Sequence, residues 1–80
     1  MGNKIKGFIE VETVDYINKD FHREVIKRTI LFNVNNITII KEVKENDYFK
    51  TQIGTIDGCE YKTDESYQSI INKIRTSQFM

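Results

Sequence analysis

Eighty residues with twelve basic and twelve acidic side chains, a formal net charge of zero, make one small domain with no global field to attract nucleic acid or an anionic membrane. One cysteine and one histidine exclude an internal disulfide and a His/Cys metal cluster within a single copy. A chain this short buries only about 60% of its unfolded surface, so with neither staple to reinforce a marginal core, association with further copies of itself is expected.

Hydrophobic residues at 39% and charged residues at 30% lie in the globular range, and the absence of proline suits a strand-rich domain. No apolar signal region follows the basic start, since Phe8-Ile9 runs straight into Glu10. Lys6 stands where a myristoylation motif wants Ser or Thr. No run approaches the ~18 apolar residues of a membrane span. Asn36-Ile37-Thr38 matches a glycosylation sequon but, without a secretory route, reads as chance. A cytoplasmic protein with no membrane partner is expected.

Residues 1–80 read as a single domain. Residues 1–6 form a polar, frayed lead. Residues 8–16 alternate as a strand, with Ile9, Val11 and Thr13 on one side and Glu10 and Glu12, read as a solvated face, on the other. Asn18-Lys19-Asp20 signals a turn. Residues 21–28 admit two readings. One is a short helix capped by Asp20; the other, favoured by the β-branched density of Val25, Ile26, Thr29 and Ile30, is the first half of a long strand. On that second reading residues 17–30 make a projecting hairpin arm.

The most apolar run, Leu31 to Ile40, is broken at Asn33-Val34-Asn35-Asn36, where asparagines suit a tight turn. A strand over 37–43, a polar loop at 44–47 and a strand over 48–56 follow, with Gly54 marking a bulge or a close contact. Asp57-Gly58 predicts a two-residue type I′ turn into a short strand over 59–62. The spacing predicts a C-terminal helix over 63–76, with Thr63 as N-cap, Asp64 and Glu65 in its first turn, and Tyr67, Ile70, Ile71 and Ile74 as its apolar stripe. The fold class is therefore α+β, a small, mainly antiparallel β-meander of about five strands with one helix packed on the sheet.

Phe8-Ile9-Glu10-Val11-Glu12, Leu31 to Thr38, and Ile53, Asp57-Gly58, Tyr61 and Glu65-Ser66-Tyr67 together resemble the flagellar FlbD-like family of small bacterial and phage β-proteins. More distantly, the second half is similar to the LytTR DNA-binding domain, through its Asp-Gly turn leading to a helix. The first resemblance implies a structural or accessory factor and carries no catalytic residue across. The stretch 16–29 departs from it by its length.

The four glycines are scattered and none opens a helix, so no phosphate loop is formed. Cys59 would need His22 across the fold to act as a nucleophile, and it reads as a small buried hydrophobe. No enzymatic activity, metal or cofactor is expected. The expected role is a self-associating protein–protein module, with Phe21, Val25 and Ile26 in a contact burying more than ~1,000 Å² in total. The alternative is a nucleic-acid-binding accessory or regulatory protein using Lys19, Arg23, Lys27 and Arg28, with Phe21 among them for stacking.

Overall fold

The computed structural model describes residues 6–44 and 48–78. The expected lead at 1–6 therefore lies outside the described residues except for Lys6, and so do 45–47 of the expected polar loop. Five strands, β1 (Phe8–Lys19), β2 (His22–Asn33), β3 (Ile37–Glu42), β4 (Thr51–Thr55) and β5 (Glu60–Thr63), are followed by helix α1 (Tyr67–Ser77). The strands form one sheet in the order β2-β1-β5-β4-β3, and every pairing is antiparallel. This is the α+β sheet with a C-terminal helix that the hydrophobic pattern predicts.

Residues 22–33 are strand, which decides between the two readings of that stretch. Strands β1 and β2 pair without interruption from Phe8↔Asn33 to Lys19↔His22, leaving only Asp20 and Phe21 to turn the chain. Both turn residues have positive φ, 45° and 70°, the pattern of a two-residue type I′ turn whose twist matches that of the flanking strands. Strand β1 thus runs three residues beyond its expected end at 16, because a two-residue turn allows the ladder to continue right up to it.

The two edge strands, β2 and β3, are consecutive in sequence and joined only by the 3₁₀ turn Val34–Asn36. A flat five-stranded sheet would hold its edges ~19 Å apart. The chain from Asn33 to Ile37 reaches at most ~14 Å, so the sheet must curl. Its concave side encloses Ile9, Val11, Phe32, Ile53 and Ile70, with Ile30, Val34, Ile37, Ile40, Tyr61 and Ile74 packed around them. Phe32 and Tyr61 meet edge to face, their centroids 5.0 Å apart. Helix α1 packs against β1 and β3, and Gly7 N–H donates to the Ser77 carbonyl at 3.2 Å.

The helix starts later than expected. Its N-cap is Ser66, whose hydroxyl accepts from Ser69 N–H, so Asp64 and Glu65 precede the first turn. Thr63 is the last residue of β5, and its hydroxyl donates to the Glu12 carbonyl at 2.7 Å and accepts from Glu65 N–H at 3.1 Å. Sheet pairing therefore overrides its capping propensity. Ile70 is fully buried and Ile71 and Ile74 partly so, while Tyr67 stays exposed and Ser77 takes a buried place on the docked face.

The Asp57-Gly58 hairpin also departs from expectation. Gly58 has φ +87° but Asp57 does not enter the left-handed region. Gly58 N–H donates to the Thr55 carbonyl and Thr55 N–H to the Cys59 carbonyl, both at 3.0 Å. That is a three-residue loop closed by a glycine bulge, not a two-residue type I′ turn. Cys59 emerges from it exposed, so the expectation of a buried cysteine fails. Gly54 stands opposite a β3 bulge where Ile37 and Ile39 face Thr55 and Gly54, and a Cβ there would meet the Ile39 Cγ2 at 2.7 Å. Both proposed roles for this glycine, bulge and close contact, therefore hold. Among the described residues, no helix is long and apolar enough to cross a membrane.

Candidate interaction surface

The β1–β2 hairpin extends beyond both the helix and strand β5. Each strand has twelve residues, ~40 Å of extended chain, whereas the eleven-residue helix spans only about 16 Å. Strand β5 meets β1 at the Thr13↔Thr63 pair and goes no further along it. The long axis of the molecule, 46 Å against 27 and 23 Å, reflects this projection. Residues 17–30 form a hairpin arm, as the strand reading expects.

One strut braces the arm on its outer face. The Tyr16 hydroxyl donates to the Tyr48 carbonyl, and the two rings meet edge to face with centroids 5.2 Å apart. The Arg23 guanidinium lies 4.4 Å from the Tyr48 ring centroid and 5.9 Å from that of Tyr16, within the range of a cation–π contact. Lys62 Nζ lies 5.3 Å from the Phe49 ring. Together with Asn18 these residues line an open depression. Burial, reinforced by the Asp64 charge and opposed by Arg23, raises the Tyr16 hydroxyl above its ordinary value. Sequence reasoning missed this strut. Tyr16 and Tyr48 stand 32 positions apart, and no local pattern pairs them.

The three expected self-association residues lie on the arm but on different surfaces. Phe21 is wholly exposed at the tip, at 112% relative exposure, in a left-handed conformation that costs a bulky side chain strain. Val25, 51% exposed, faces outward beside Tyr16. Ile26 is half-buried on the opposite, inner face, opposite Asp15 and diagonal to the exposed Ile17.

The four basic residues do not converge. Strand alternation places Arg23 and Lys27 on the outer face and Arg28 on the inner one, together with Lys19 of β1. Arg23 is engaged with the tyrosines, and Lys27 lies 3.9 Å from Glu12. Glu10 and Glu12 are exposed, as their solvated-face reading expects. His22, also at the arm's end, lies 3.5 Å from Glu24.

The most open feature of the arm is its backbone. Strand β2 is an edge, and among the described residues no strand pairs with its outer side. In a hairpin closed by the Lys19↔His22 pair, the even-numbered residues of β2 direct their N–H and C=O groups toward β1. The odd-numbered ones, Arg23, Val25, Lys27 and Thr29, direct theirs outward. Compared with family models, curated proteins and solved structures, the chain shows no match.

Proposed function

We propose that this protein is a non-enzymatic interaction module that associates with itself through the β1–β2 arm. The observation that carries the reading is the open outer edge of β2, a twelve-residue row of alternately unpaired donors and acceptors on an arm that projects beyond its own core. Such an edge is a template for another strand. Exposed apolar side chains accompany it: Phe21 at the tip, Val25 and Leu31 on β2, and Ile17 on β1. The Tyr16–Tyr48–Arg23 strut holds the arm out, which lowers the entropy lost when a partner docks. An exposed free thiol at Cys59 suits a reducing cytoplasm.

Sedimentation at micromolar concentration tests this reading. The parent should run as a dimer and Val25→Pro, which removes an outward-directed N–H from the β2 edge, as a folded monomer. A monomeric parent overturns the reading. Salt-sensitive binding of an oligonucleotide by a monomer, flattened by Lys27→Ala with Arg28→Ala, would replace it with the nucleic-acid alternative.

A further inference from the structure

Resting on that reading, we infer that the second copy docks strand to strand, β2 against β2, in one register centred on Ile26. A two-fold axis normal to a sheet leaves each side chain on its own face. It therefore passes beside one residue, which meets its own equivalent, and residues equally far on either side of it oppose each other. Between Arg23 and Arg28, five of the six possible centres are penalised or bring no charge pairing. Centring on Arg23, Glu24, Lys27 or Arg28 sets a charge against itself, and centring on Val25 sets Arg23 against Lys27.

Centring on Ile26 sets Glu24 of each copy against Arg28 of the other, twice by symmetry. Like charges directly opposite destabilise a sheet and opposite charges stabilise it, so the strand Glu24-Val25-Ile26-Lys27-Arg28 is complementary to itself in this register alone. Among the described residues no carboxylate pairs with Arg28 within its own chain, whereas Glu24 lies near His22. Charges that served only to solvate an edge would need no such symmetry.

The backbone agrees. With Ile26 as a non-hydrogen-bonded centre, the groups that must bond across the axis belong to Val25 and Lys27, whose N–H and C=O already point outward. The two Ile26 side chains then lie in close contact on the inner face, with the exposed Ile17 of each copy diagonal to them. The same register brings Phe21 at each tip level with Leu31 of the other copy, two side chains exposed by 112% and 47%. The strained tip thereby gains an apolar neighbour.

The test uses the full chain with Cys59→Ser. Glu24→Arg alone and Arg28→Glu alone should each weaken dimerisation on the order of tenfold to a hundredfold, since each turns two attractive pairs into two repulsive ones. An equal mixture of the two variants should recover a dimer, because every cross-copy pair is again of opposite sign. Ile26→Cys should form a linked dimer on mild oxidation and Thr29→Cys should not. A parent that dimerises but ignores both charge reversals, or fails to link at position 26, overturns this register and leaves the self-association reading standing. A parent that stays monomeric overturns both. Circular dichroism of each variant separates loss of contact from loss of fold.

Discussion

The Thr63 hydroxyl donates to the Glu12 carbonyl at 2.7 Å, and this bond, beside the Thr13↔Thr63 pair, ties the three-stranded half of the sheet to the arm-bearing half. Thr63 is fully buried and also accepts from Glu65 N–H. Thr63→Val keeps the shape and removes both bonds. The expected cost is about 1–3 kcal/mol, because a buried carbonyl and an amide lose their partner. Chemical denaturation measures it, and a change below about 0.5 kcal/mol would show that the seam is held elsewhere.

The helix should be fixed by Ile70 far more than by Tyr67. Ile70 is fully buried in the core cluster, so Ile70→Ala should cost about 2–5 kcal/mol, a large share of the stability of so small a domain. Tyr67→Ala removes a side chain that is already exposed and should melt close to the parent. Equal losses in the two variants would contradict the docking of the helix.

Phe21 and Gly58 both occupy left-handed backbone, but with opposite consequences. Gly58→Val should destabilise by about 1–2 kcal/mol through backbone strain alone, since nothing lies within 4 Å of a Cβ built there. Phe21→Gly should do the reverse, stabilising the single copy by up to about 1 kcal/mol while weakening the dimer. A variant that gains stability and keeps full association would remove Phe21 from the contact.

Acid should loosen the β4–β5 hairpin. The Asp57 carboxyl is held below its ordinary 3.8 chiefly by the Thr55 hydroxyl, then by the Cys59 amide. A depressed carboxylate contributes stability that is complete above its unfolded value and is lost as pH falls through the folded one. The protection of the amides around residues 55–59, measured against their intrinsic exchange rates, should therefore fall below about pH 4 in the parent. Asp57→Asn should lack that dependence. A loss of protection that is identical in the two proteins would assign it to other groups.

By itself the sequence determined the elements whose signals are local. The alternation of Ile9, Val11 and Thr13 placed β1, and the i, i+3, i+4, i+7 spacing of Tyr67, Ile70, Ile71 and Ile74 placed the helix. The Asp57-Gly58 pair placed a hairpin, because only glycine adopts its backbone without strain. Tertiary structure decided what depends on distant partners. Thr63 has a good capping side chain, yet β4 and β1 claim it for the sheet, so the helix begins at Tyr67. The arm needed twelve successive cross-strand pairs to prevail over a helix that its own residues could have formed. The Tyr16–Tyr48–Arg23 strut exists only because the pairing of Thr63 with both Thr51 and Thr13 brings the chain before β4 beside the arm, a proximity that no spacing along the chain records.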